Sequence, residues 1–296
     1  MSFHIYVQNN TALKISDVLE NSYLPKDAVI AYGKDAHESI GGYTKLYLPL
    51  KSSRGVVIAT YEEEYDVQIN TGGSEADYYL ATRIALALSM LNNSTIIPEF
   101  DYDLTAEEFE KKYDHTWAKE SETLGMSALT YMITKEGSTV QLGGCKRAFY
   151  VGQKMLDRLA TSNRTSEKEM SEFIVSNMIQ LQFIEDLHED IEVPTLMEGD
   201  FPEGTKSFIF IASNFQLLLT KADLIMLREE ENMVKVPYQE LISTLQEKGK
   251  LRRVDEEQFV MQPLKSEEYK ELMQQFSEEK NPKEKPKKSN RKWKFW

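Results

Sequence analysis

The sequence predicts an α+β protein of two closely packed domains, in which antiparallel β-meanders are each followed by a packing helix, with a disordered basic C-terminal tail. Three observations predict this. The 296 residues are 41% hydrophobic and 28% charged, the balance of a globular chain. Runs of period two cluster in groups separated by polar turns, and each group gives way to a helical period. The last stretch is Lys, Pro, Glu and Asn without apolar spacing until Trp293, too little apolar surface to offset the entropy of ordering it. One core stops gaining from growth beyond roughly 250–300 residues, so the expected division is 1–100, 101–279 and the tail, 280–296.

Residues 3–7 alternate as a strand does, and Leu13, Ile15, Val18 and Leu19 suggest a short helix ending before Pro25. Residues 28–32 read as a second strand. Three β-rich runs over 45–50, 55–61 and 65–70, joined by short polar turns, form an antiparallel meander. Thr71-Gly72-Gly73-Ser74 breaks it. Ser74 with Asp77 three residues on has the form of a capping box, so a helix starts there. Leu80, Ala81, Ile84, Leu88 and Leu91 share one face of that helix, and Ala85, Leu86 and Ala87 widen it, which predicts burial.

Phe109, Tyr113 and Trp117 recur at i, i+4 and i+8 after the Thr105 cap and mark a third helix with one aromatic stripe. Residues 129–134, 139–142 and 146–151 read as a second meander turning at Glu136-Gly137-Ser138 and at Gly143-Gly144, followed by a helix over 153–160. A central helix over 166–187 carries apolar positions on two sides. Strands over 207–212, 215–220, 224–227 and 233–236 lead into a helix at 238–248 as a third meander unit. Residues 258–264 suggest an edge strand interrupted by Pro263, and 266–276 the last helix.

The formal charge of −13 is unevenly spread. Residues 280–296 hold eight of the 35 basic residues and one of the 48 acidic ones, a net +7, which leaves −20 for the rest. Such a body repels nucleic acid and anionic lipid, and only the tail attracts either. Its Lys287, Lys288, Arg291, Lys292 and Lys294, with Trp293, Phe295 and Trp296, combine charge with rings that favour bilayer interfaces or stack on single-stranded nucleic acid. The bland reading is a solvated tail that aids solubility or folds back on the acidic body. The N-terminus has neither a basic region nor an apolar stretch of signal-peptide length, which argues against export, and a single cysteine suits a reducing compartment.

No complete catalytic set is legible. Gly72-Gly73-Ser74 could offer backbone N–H groups to an anion, but neither the dinucleotide fingerprint nor the P-loop is met, so a plain capped turn is the better reading. Cys145, beside Lys146 and Arg147, is a candidate nucleophile, set against the usual fate of a lone cysteine as a small buried hydrophobe. Glu185, His188 and Glu192 fall on one side of the expected helix at a spacing found in carboxylate metal sites. With no second Glu-x-x-His to complete such a site, neither a metal nor a cofactor is expected. His115 after Asp114 resembles half of a triad and is expected to face solvent; His4 and His37 sit in no motif.

The start Phe3-His4-Ile5-Tyr6-Val7, the turn Gly72-Gly73-Ser74-Glu75-Ala76-Asp77, the segment Val236-Pro237-Tyr238 and the length together resemble a bacterial family of low-GC Gram-positive organisms, catalogued as domain of unknown function 4299. The resemblance extends over roughly the full length. It implies a bacterial cytosol and supplies no catalytic residues. The expectation is a non-enzymatic cytoplasmic protein that binds another protein as an adaptor, regulator or immunity-type factor. The alternatives are an enzyme using Cys145, His115 or His188, and a peripheral membrane protein attached through the tail.

Overall fold

The structure is a computed structural model that describes residues 2–31, 34–161 and 166–280. The expected disordered tail beyond residue 280, including Lys287, Lys288, Arg291, Lys292, Trp293, Lys294, Phe295 and Trp296, lies outside the described residues. Helices and antiparallel sheets are mixed throughout, so the fold class is α+β. The described chain separates into two compact units, residues 2–188 with Val254–Glu256, and Glu189–Arg253 with the residues from 257 onward. The division therefore falls near residue 188 and not at residue 100.

The first unit runs β1 (Ser2–Gln8), α1 (Ile15–Leu19), β2 (Val29–Ile30), β3 (Tyr43–Tyr47), β4 (Val56–Thr60), β5 (Glu64–Asn70), α2 (Glu75–Asn92), β6 (Ile96–Pro98), α3 (Ala106–Lys112), α4 (His115–Glu136), β7 (Val140–Gly143), β8 (Ala148–Val151), α5 (Gln153–Thr161), α6 (Glu167–Gln182) and α7 (Ile184–Leu187). The expected meander is present as β3, β4 and β5. It extends into a six-stranded antiparallel sheet of order β2-β3-β4-β5-β1-β6 because β1 inserts between β5 and β6. The period of two sends Ile5, Val7, Val56, Ile58, Val67 and Ile69 to one face, where Leu80, Ile84 and Leu88 of α2 pack against them. Each of those three α2 side chains, fully buried, contributes roughly 1.5–3 kcal/mol. The small Ala81, Ala85 and Ala87 complete a helix buried over most of its circumference.

Two expectations fail here for local reasons. Residues 129–134 are not a strand but the last turns of α4, where Met126, Leu129 and Ile133 are buried at helical spacing. The β-branched Thr134 is accommodated because its hydroxyl donates to the Thr130 carbonyl at 2.9 Å. Gly137 ends that helix at φ 64°, a left-handed conformation that glycine adopts without strain. The single aromatic helix is two helices, because Tyr113 closes α3 and Asp114 caps α4, yet the rings of Phe109, Tyr113 and Trp117 still meet at 4.7 and 4.9 Å. The expected second meander is thus only the hairpin β7–β8. Likewise the helix expected over 166–187 breaks at Phe183 into α6 and α7.

The second unit runs β9 (Ile191–Glu192), β10 (Met197–Phe201), β11 (Gly204–Ile211), β12 (Gln216–Leu219), β13 (Leu224–Glu229), β14 (Asn232–Pro237), α8 (Tyr238–Glu247), β15 (Leu251–Arg253), β16 (Phe259–Met261) and α9 (Ser266–Lys280). The expected third meander is instead two sheets, β10-β11-β13-β14 and β15-β16-β12-β9. Strand β12 leaves its sequence neighbours to pair with β16 and β9, so β11 and β13 meet in parallel. The run read as an edge strand is β16, which lies between β15 and β12.

Tyr269 of α9 ties this unit's core together, donating to the Ile211 carbonyl at 2.6 Å and accepting the Arg228 N–H at 2.9 Å. Burial pushes its phenol up to about 12. Tyr269→Phe leaves both backbone groups unpaired, and urea unfolding of the second unit is expected to show a loss of about 1–3 kcal/mol.

Candidate functional site

The turn before α2 is held by a buried carboxylate. Asp77, at the third position of α2, has no exposed surface. Its oxygens accept the N–H groups of Ser53, Arg54, Gly55 and Ser74 and the Ser53 hydroxyl, all at 2.9–3.1 Å. Ser74 completes the capping box by accepting the Asp77 N–H. The next N–H of the helix start, that of Glu75, is taken at 2.6 Å by the buried Glu122 of α4. The N–H groups of Ser74 and Glu75 are thus taken by the chain's own carboxylates and that of Asp77 by the Ser74 hydroxyl, and Gly72-Gly73-Ser74 is a capped turn.

Beside this turn, α2, α4 and α6 border an open cleft of about 400 Å³. Leu48, Ser74, Val175 and Glu122 are its buried lining, and Ile179 and Pro25 add apolar surface. His115, the first residue of α4, lies flat on the Tyr79 ring, 3.9 Å between centroids and 15° between planes. The Arg83 guanidinium is 4.8 Å from the centre of the same ring. Glu75 places an oxygen 4.0 Å from His115 Nδ1 and another 3.8 Å from Lys119 Nζ.

Lys119 serves three carboxylates at once, Glu122 at 3.1 Å and Glu75 and Glu172 at 3.8 Å. Burial works against its charge, but the Glu122 hydrogen bond and the three negative charges outweigh it and hold its pKa above the usual lysine value. At the rim Lys51 is taken up by Asp27 at 2.8 Å, and that bond holds the Asp27 carboxyl below its ordinary range. The cleft thus keeps an excess of negative charge next to an aromatic face.

Of Cys145, His115 and His188, His115 borders this cleft, as does Ser74 of the capped turn. The His115 side chain is 68% exposed, as expected, but it has an aromatic and an acidic neighbour that local spacing could not reveal. Cys145 is buried, with its thiol 3.5 Å from the Ser52 carbonyl, and burial pushes its pKa up to about 12. The charges of the neighbouring Lys146 and Arg147 are paired with Asp186 at 2.8 Å and Glu185 at 2.6 Å. Thiol-probe labelling of native protein at pH 8 is expected to run roughly a thousandfold slower than in urea, and equal rates would contradict a buried neutral thiol. His188 follows the end of α7 in extended backbone and is exposed, and Glu192 lies in β9, so Glu185, His188 and Glu192 share no helix face. Among the described residues no cluster of three His, Cys, Asp or Glu side chains could hold a metal.

A family model described as Domain of unknown function (DUF4299) matches residues 2–181. The chain belongs to the DUF4299 family. Neither a curated protein nor a solved structure matches it. The DUF4299 match spans β1 through nearly the whole of α6, so it contains every residue of the cleft and stops short of the second unit. Among the described residues no helix is long and apolar enough to cross a membrane. Sequence reasoning missed Glu75, Tyr79, Lys119 and Glu122 as a group. The acidic and aromatic character of each is plain, but their convergence depends on α2 and α4 packing side by side.

Proposed function

We propose that this DUF4299 protein is a protein-binding adaptor or regulator that receives a basic side chain of its partner in the cleft beside Tyr79 and His115. The observation that carries the reading is the charge imbalance, the Lys119 and Lys168 ammonium groups against the Glu75, Glu122 and Glu172 carboxylates. An incoming Lys or Arg would lay its methylene stem along Leu48, Val175 and Ile179 and present its cation to Glu75. A partly desolvated charge pair of this kind contributes more than one on the open surface, and it rejects acidic partners.

Titration of isotope-labelled protein with N-acetyl-lysine amide, N-acetyl-arginine amide and, as a control, N-acetyl-glutamate amide tests this. Amide shifts are expected at residues 74–79 and 115–122 with the two cations only, and Glu75→Lys is expected to remove them. Equal response to the glutamate derivative, or shifts scattered over the sheet, would sink the reading.

A further inference from the structure

We propose that Ser2, His4 and Asp66 form a second functional site, a nucleophilic-serine relay acting on neutral or cationic esters. This goes beyond a binding role and lies on the sheet face opposite α2. Strand alternation puts Ser2 and His4 on that face of β1, and the register of β5 places Asn70 across from Ser2 and Gln68 across from His4, with Asp66 two residues further along. Ser2 Oγ is 2.6 Å from His4 Nε2. His4 Nδ1 lies 3.0 Å from both oxygens of Asp66. The nucleophile, base and orienting carboxylate therefore use the two ring nitrogens in the order acyl transfer requires.

The relay is supported from behind. The Asp66 side chain is only 5% exposed, and Gln68 Nε2 donates to it at 2.7 Å, which fixes the carboxylate that aims the imidazole. His4 keeps 22% exposure and Ser2 is half-buried, so a substrate can reach the hydroxyl. The backbone of His4 is clamped to the β6 side, its N–H donating to Glu99 at 3.1 Å and its carbonyl accepting the Glu99 N–H at 2.9 Å. The carboxylates of Asp66 and Glu99 beside His4 disfavour anionic substrates, which sets the substrate class. Asn70 lies directly across from Ser2 in the β1–β5 register and on the same face, which makes its amide the oxyanion donor that the proposal assigns.

In the reaction Ser2 Oγ adds to the ester carbonyl carbon as its proton passes to His4 Nε2. The C–O bond to the alcohol then breaks, and the leaving alkoxide takes that proton. Water, giving its proton to His4 in the same way, cleaves the acyl-serine to the carboxylic acid and restores Ser2. Asp66 is a positioning residue, since it acts through the imidazole.

Full-length protein with an untagged N-terminus, treated with an alkyl fluorophosphonate and mapped by peptide mass spectrometry, tests the relay. Ser2 is expected to label roughly a hundredfold faster than the exposed Ser138. Ser2→Ala removes the label, His4→Gln slows it at least tenfold, and Asp66→Asn slows it severalfold with partial rescue by Asp66→Glu, as a carboxylate acting through the imidazole requires. Ser2 labelling no faster than Ser138, or labelling of His4→Gln at the wild-type rate, overturns the proposal. Should Asp66→Asn fail to fold, the Ser2 and His4 variants still decide.

Discussion

Asp77→Ala is expected to destabilise the first unit by about 3–5 kcal/mol. The carboxylate is wholly buried and gathers four backbone N–H groups and one hydroxyl from two separate segments, residues 53–55 and Ser74. Truncation leaves the four backbone N–H groups without their acceptor, while the Ser53 hydroxyl keeps the Gly72 carbonyl at 2.9 Å, and it uncouples the loop before β4 from the start of α2. Asp77→Asn keeps one acceptor oxygen but turns an amide N–H₂ toward donors, so it is expected to fall between wild type and Ala. Hydrogen exchange of peptides from β4 and α2 in graded urea measures both. Wild-type protection of these peptides in Asp77→Ala would contradict this account of the turn.

Gly144→Ala is the second large effect, at about 2–4 kcal/mol. A Cβ at Gly144 would fall well inside contact distance of the Gln182 amide and the Arg147 carbonyl. Gln182 is itself buried, and its Oε1 accepts the N–H groups of Lys146 at 2.9 Å and Arg147 at 2.8 Å. Lys45 Nζ closes the loop from the other side on the Gly144 carbonyl at 3.1 Å. Any shift that relieves the added methyl group breaks those bonds or moves the end of α6. The shift of the urea midpoint measures the cost, and Gly143→Ala, where the nearest heavy atom would be 4.0 Å away, is the control expected to change it little.

What the sequence made legible is what neighbouring residues determine. Ser74 and Asp77 announced the start of α2 because a capping box is a four-residue object, and the β3–β5 meander was readable because each strand pairs with the next. The Gly143-Gly144 turn was visible too, although the reason for its second glycine, contact with Gln182, was not. Errors came where the outcome depended on distant pairing or on competing local signals. The β-branched residues of 129–134 mimic a strand, but Met126, Leu129 and Ile133 bury one helical face and decide the matter. Strand β12 could not be assigned to its sheet because its partners, β9 and β16, lie about 25 and 40 residues away along the chain.

The same physics governs the candidate sites. Cys145 stood out by its basic neighbours, yet the fold hands those charges to Glu185 and Asp186 and buries the thiol. Ser2 and His4 are two residues apart on β1, but Asp66 reaches them only through the β1–β5 register, and Glu122 reaches Glu75 only across the α2–α4 packing.

The central claim, that the cleft beside the α2 start is where the protein meets its partner, is tested most directly by a photo-crosslinking amino acid at Ala76 in the native host. The account predicts a discrete cross-linked product whose partner peptide carries a Lys or Arg at the reacted position, and loss of that product when Glu75→Lys is added. A product that survives Glu75→Lys unchanged, or cross-links to acidic peptides alone, would contradict it.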